Sequence, residues 1–328
     1  MGTILLGCSS RPLVPPKAIE SAMSNDEDNV SSEFKYTVCC WSTPKNSWLQ
    51  DIEQCAAIGV QGVGLWERKI APGEEEAVEE ALAAHDIRAG ILVPDDWTLL
   101  PGPLNPRAEG LDWKELSRRI AASMARLARF KPVGILVGPG TSGDPANPAG
   151  PIEGVIEGLK IVADAAGEVG LRIGFEPYAR RRGGALVTLA ETVEVIEKVG
   201  RGNVDLLPDV WHYWPEENVH GELRQFADRM MGLQVNDARI DERSWCDRVQ
   251  PGDGRNQCTA MVATLIEAGF TGWYDYEVFS DDGRWGNAYP DSLWAKPHEE
   301  FLREGYEAFS RCYADAKQMV EASRRVAS

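Results

Sequence analysis

From Phe34 onward, short uninterrupted apolar runs alternate with longer stretches whose apolar residues recur every three or four positions. The first pattern is that of strands buried on both faces, the second that of amphipathic helices. The apolar runs fall at 35–41, 62–66, 88–93, 133–138, 172–176, 204–209, 232–236 and 273–278. Helical periodicity occupies 48–58, 74–85, 113–130, 152–169, 189–199, 221–231 and 259–268, and a last long helix is predicted over 297–327. Such an alternation of strand and helix is the signature of βα units around a parallel sheet.

Gly59, Gly170, Gly200 and Gly269 each follow a helical stretch and precede a strand, where a left-handed residue ends a helix. An open doubly wound sheet would call for a glycine-rich phosphate turn after the first strand, and Ser42-Thr43-Pro44-Lys45-Asn46 has no glycine. The expected fold is therefore α/β, a (β/α)8 TIM barrel forming a single catalytic domain over 34–328, with a C-terminal helical extension. The chain of 328 residues accommodates the roughly 250 that such a barrel needs. Residues 1–33 have a different character, with prolines clustered at 12–16 and an acidic, serine-rich stretch at 24–32, and read as a disordered N-terminal extension. Leu5-Leu6-Gly7-Cys8 is spaced like a lipoprotein cleavage box, but no basic region precedes it and the apolar stretch is too short for a signal peptide. Met23 is a candidate alternative start.

Charge narrows the partners. A formal net charge of -17 repels phosphate backbones and anionic lipid surfaces, so neither nucleic acid nor membrane is an expected partner. No apolar run approaches the roughly 20 residues of a membrane span. The seven cysteines are scattered and odd in number, which argues against a disulfide framework and for a reducing cytoplasm. Cys39 and Cys40 are adjacent in a strand, point to opposite faces and are expected to be buried structural residues.

Four segments in the C-terminal half end an apolar run with a metal-type ligand: Gly174-Phe175-Glu176-Pro177, Asp209-Val210-Trp211-His212, Leu233-Gln234-Val235-Asn236-Asp237 and Tyr276-Glu277-Val278-Phe279. In a barrel such strand ends converge on one mouth. Glu176, Asp209, Gln234 and Glu277 then form an all-oxygen ligand set, which suits Mn2+, with Mg2+ or Co2+ as alternatives, better than zinc. Carboxylates flanked by apolar residues are costly to bury alone, and a cation offsets that cost. His212, three residues after Asp209, is expected to touch a substrate oxygen. Trp41, Trp66, Trp97, Trp211, Trp214 and Trp285 fall at or just past strand ends. Their rings suit the C–H faces of a sugar or a flat aromatic aglycone, although Trp41 and Trp66 could instead fill the barrel interior. Glu67 and Lys69 after the second strand, and Asp95 and Asp96 after the third, are further candidates for the mouth.

These residues resemble the xylose-isomerase-like TIM-barrel superfamily, the sugar phosphate isomerase/epimerase group related to hydroxypyruvate isomerases, inosose dehydratases and C-glycoside deglycosidase alpha subunits. The resemblance spans roughly 36–309 and includes the D-x-x-H of Asp209 and His212 and the loop Pro251-Gly252-Asp253-Gly254, preceded by Asp247-Arg248. It implies that Glu176, Asp209, Gln234 and Glu277 hold one divalent ion and that the Asp247-Arg248 pair points into the site. It also implies an isomerase or epimerase working by proton transfer next to a metal-bound carbonyl, with Glu176 and Glu277 as the proton-carrying pair. The alternative is a lyase of the same fold acting on 3-keto-glycosides, C-glycosides or cyclitols. Two positions depart from the pattern. Arg180-Arg181-Arg182 stand where ketose epimerases carry another acid, which makes Arg182 a candidate for binding a carboxylate or phosphate. Gln234 stands where many relatives have His. The resemblance further implies a homo-oligomer, or a small second subunit in the C-glycoside lyase case. Multi-zinc DNA-repair nucleases of the superfamily fit poorly, because the chain has four histidines.

Overall fold

The computed structural model describes residues 33–102, 105–141, 152–179, 183–255 and 257–327. The extension expected over 1–33, apart from Glu33, and the three arginines at 180–182 lie outside the described residues. The barrel occupies the unit Phe34–Ser328.

Eight parallel strands surround one axis among the described residues. They are β1 (Lys35–Cys39), β2 (Gly62–Gly64), β3 (Arg88–Ala89, continued by Ile91–Leu92), β4 (Gly134–Val137), β5 (Ile173–Phe175), β6 (Val204–Leu206), β7 (Gly232–Val235) and β8 (Trp273–Tyr276). Strand β1 pairs with both β2 and β8, and β8 with β7. The bridges Leu206↔Met230 and Asp209↔Gln234 join β6 to β7 and close the ring of these eight strands. Strand β3 is interrupted at Gly90, where a Cβ would collide with Thr37 Oγ1 from β1.

The strands alternate with α1 (Trp48–Ile58), α2 (Glu75–Ala84), α3 (Trp113–Leu127), α4 (Ile152–Glu168), α5 (Leu189–Val199), α6 (Val219–Phe226), α7 (Gln257–Glu267) and α8 (His298–Ala327). Helices α1 and α5 begin in capping boxes, Ser47 with Gln50 and Thr188 with Glu191, and end on left-handed Gly59 (φ 83°) and Gly200 (φ 66°). Helix α6 starts and stops earlier than its periodicity predicts, because a 3-10 turn at Ala227–Arg229 takes over the run into β7. Helix α8 lays Phe301 and Phe309 against the barrel, then continues past Val320 with an exposed last stretch.

Two apolar layers result. The larger lies between strands and helices, and a smaller one plugs the barrel with Cys39, Ile91, Val93, Leu136, Leu207 and Met231. That plug forms the base on which the C-terminal strand ends stand. The cysteines among the described residues are free and buried, and no described helix is long and apolar enough to cross a membrane.

Candidate active site

Each ligand candidate sits at or near the end of a strand. Glu176 follows β5, Asp209 lies beyond β6, Gln234 is in β7 and Glu277 comes directly after β8. A two-stranded antiparallel ribbon after β7, Asp237–Ala238 with Arg248–Val249, delivers Arg248 over the same opening. All five side chains are buried. Arg248 Nη1 donates to Asp209 Oδ2 at 2.7 Å and to Glu277 Oε2 at 3.0 Å, and its guanidinium lies over the rings of Phe279 and Trp211 at 4.3 and 5.2 Å. Asp209 Oδ1 accepts from the Trp211 amide and from Asn236 Nδ2, both at 2.7 Å. Cys39 Sγ donates to Glu277 Oε1 at 3.5 Å.

His212 completes a cluster with Glu176 and Asp209 whose ligand-type atoms lie within 4.8 Å of one another. Its Nδ1 accepts the Ala179 N–H at 3.0 Å, which places the proton of the neutral ring on Nε2, 3.7 Å from Glu176 Oε1. A ring held in that tautomer offers a donor to the site, and its proton would have to move before Nε2 could bind a metal. Tyr178 stacks on the imidazole at 5.2 Å and fixes its plane.

The charges do not balance. Four carboxyls are buried here, Glu176, Asp209, Asp275 and Glu277, against one buried guanidinium among the described residues, that of Arg248, which pairs directly with Asp209 and Glu277 alone. Burial drives Glu176 well above the usual carboxyl range, with Glu277 and Asp209 adding to the rise. Burial pushes Glu277 to about 8 against the opposing pull of Arg248. Asp275, in register with both Thr37 and Gln234, is raised by burial and by Glu277, although the nearby Gln234 amide favours its charged form. Among the described residues, neither the Asp275 carboxyl nor the Gln234 side-chain amide makes a well-formed hydrogen bond to a protein group. Excess buried carboxyls beside an unsatisfied amide, with oxygen donors throughout, fit a hard divalent cation.

Above this floor opens a cavity of about 400 Å³ walled by Trp41, Trp66, Trp97, Trp245, Trp285 and Phe279. Trp41 and Trp66 serve both expectations, since they pack on the inner plug and also face the cavity. Trp211 and Trp214 do not line it. The residues after Asp209 form a single helical turn, Val210–Tyr213, rather than a loop. Successive side chains on a helix diverge by about 100°, so the neighbours of His212 point elsewhere. Trp211 backs Arg248, and Trp214 lies under Arg255. Glu67 is also outside the lining: its carboxylate accepts the Asp95 N–H at 2.8 Å and pairs with Arg126 at 3.3 Å. Lys69 is taken up by Asp51 at 2.6 Å. Asp247 turns away from Arg248 and is clamped by Arg239 and Arg243. Sequence reasoning had missed Asn236, Tyr178, Trp245 and Arg68. Asn236 was recoverable, because strand alternation puts it on the same face as Gln234.

Several known proteins are similar to this chain. D-psicose 3-epimerase of Agrobacterium fabrum is 27% identical over 140 residues, covering 42% of this chain and 46% of that protein. Inosose dehydratase of Bacillus licheniformis is 26% identical over 146 residues, covering 39% and 46%. The chain thus spans about half the length of the curated relatives it matches. Among solved structures, the IolI protein with a bound zinc atom superposes with a TM-score of 0.70 at 16% identity, covering 86% of this chain and 99% of its own. D-psicose 3-epimerase of Clostridium cellulolyticum H10 with D-tagatose gives 0.68 at 18% identity, covering 86% and 99%. These two likenesses speak for the fold. The family model for the xylose isomerase-like TIM barrel matches residues 52–308, from α1 into α8, and with the closed barrel around that span the chain belongs to this family.

Proposed function

We propose that the protein is a divalent-cation-dependent enzyme that moves a proton on the carbon beside a carbonyl in a sugar or sugar-like substrate, giving isomerisation or epimerisation. The observation that carries this reading is the pair Glu176 and Glu277, two buried carboxyl groups from β5 and β8 that meet at the floor of one cavity. The relatives named as an epimerase and a dehydratase support the same class of chemistry.

Glu176, Asp209, Gln234 and Glu277 would hold the cation, with manganese preferred and magnesium or cobalt as substitutes. When bound, such an ion polarises a carbonyl and lowers the pKa of the adjoining C–H. One of the two glutamates accepts the carbon-bound proton at a carboxylate oxygen, and the same or the opposite glutamate returns it to a neighbouring carbon or the other face. His212 donates from Nε2 to a substrate oxygen. Arg248 offsets the negative charge that develops as the proton leaves, and the indole walls exclude water. A second reading, a lyase that expels a group after the same abstraction, is favoured by one feature: the apolar volume above the floor leaves room for a leaving group.

The test is metal analysis of the purified protein, followed by solvent-deuterium exchange into ketoses and 3-keto-glycosides. About one manganese per chain, lost in Glu176→Gln and Glu277→Gln, with deuterium in recovered substrate or product, is the expected result. A protein that neither holds nor can be loaded with a divalent ion refutes the proposal.

A further inference from the structure

We propose that the outer half of the cavity binds a flat aromatic group, so that the substrate is a sugar-like compound joined to an aromatic moiety. The sugar-like half rests on the proton-transfer reading above; the aromatic half rests on the chamber itself.

Polarity is sharply divided with depth. The ionisable groups of the floor, Glu176, His212, Arg248 and Glu277, gather at the strand ends, whereas the described residues of the outer wall are nearly all indoles and one phenyl ring. A site built to read sugar hydroxyls places several amides or carboxylates around the ring. Here the outer wall offers, among the described residues, a single charged side chain, Arg68. The rings instead present flat faces and edges suited to another ring. Trp245 and Trp285 are nearly parallel, 12° apart with centroids at 5.2 Å, and Trp41 stands edge-on to Trp66 and Trp97 at 5.8 and 4.5 Å.

The wall is also held in place from behind. Trp285 lies on the loop after β8, where Asp281 accepts the backbone N–H groups of Gly283, Trp285 and Asn287 at 3.1, 2.9 and 2.8 Å. Trp245 lies on the loop after β7, where Asp247 is gripped by Arg239 at 2.9 Å and Arg243 at 2.6 Å. Anchoring rings through charged and backbone groups outside the pocket keeps the chamber open for a ligand at little ordering cost.

Arg68 is built into this wall. Arg68 lies over the rings of Trp66 and Trp97 at 5.3 and 5.0 Å and gives Nε to Asp95 at 2.7 Å. Its Nη2, 4.0 Å from Asp96, and Trp66 Nε1 are both sealed from the cavity, so the wall meets a ligand with ring faces and edges rather than with these donors.

The experiment titrates the manganese-loaded full chain with methyl and phenyl β-glucosides, following tryptophan fluorescence and calorimetric heat. Phenyl should bind at least tenfold tighter than methyl. Trp285→Ala should shrink the phenyl-to-methyl ratio. Phenyl and methyl affinities within twofold of each other, or no saturable binding of either, would overturn the inference whatever the variants do. Deuterium exchange decides the other reading separately: aryl preference without exchange upholds the chamber and sinks the proton-transfer activity, while exchange without aryl preference does the reverse.

Discussion

Replacing Arg248 with Met should expose how the site tolerates its own charge. The guanidinium is 1% exposed and bridges Asp209 and Glu277 at 2.7 and 3.0 Å. Met keeps much of the packing volume against Phe279 and Trp211 but leaves the carboxyls without their cation. Removing one partner of a buried pair costs about 3–5 kcal/mol, and here two carboxylates lose the same partner. Protonation limits the damage. Glu277 already has a folded pKa of about 8, raised by burial above its value in an unfolded chain. A raised carboxyl contributes stability that is complete below its unfolded pKa and fades as pH rises through about 8. Loss of Arg248 removes the largest influence lowering that pKa, so the folded variant holds more protons than wild type at any pH, and the gap between them must widen as pH rises. In metal-free buffer we expect a deficit of about 3–5 kcal/mol at pH 8.5 that falls below about 2 kcal/mol at pH 5. Manganese at a hundred times its Kd should return about 2.7 kcal/mol, and the variant should gain at least as much as wild type. Urea unfolding followed by far-UV circular dichroism measures all three quantities. A deficit under about 1 kcal/mol at pH 8.5, or one that does not change with pH, would refute the reasoning.

Three further outcomes are expected. Ala at Gly64 puts a Cβ 2.5 Å from the Ile91 carbonyl and 3.0 Å from that of Val38, both backbone atoms of flanking strands, so it should cost about 2–3 kcal/mol, whereas Ala at Gly167, open on α4, should gain about 0.5–1 kcal/mol in the same urea titration. Burial first, then Lys45 and Lys69, hold His298 down to about 4, so the unfolded chain binds its proton more readily and stability should drain away as pH falls from about 6.5 towards 4. His298→Gln should flatten that acid limb by about 1–2 kcal/mol, and an unchanged limb would count against the assignment. Glu67→Gln should lower stability by about 1–3 kcal/mol through Asp95 and Arg126 while leaving glucoside affinities within about twofold; a tenfold loss of affinity would return Glu67 to the cavity.

Helix limits were legible wherever their causes are local. Gly59 and Gly200 marked the ends of α1 and α5, because a left-handed cap involves only neighbours in the chain. The run before β7 was harder to bound, since a helix and a 3-10 turn share the same apolar spacing there. Among the candidates, Glu176, Asp209, Gln234 and Glu277 could be picked out because a parallel barrel brings every strand end to one mouth.

The sequence by itself therefore determined the repeated βα order, the barrel and the gathering of acids at its C-terminal rim, all of which follow from periodicity and connection rules. Only the tertiary structure decided where each side chain points. One helical turn after Asp209 separated His212 from Trp211 and Trp214. A distant ribbon brought Arg248 between two carboxyls, and Arg126, 59 residues away, drew Glu67 out of the cavity. Direction and pairing depend on partners far along the chain, and burial, which makes those pairings decisive, exists only once the barrel has closed.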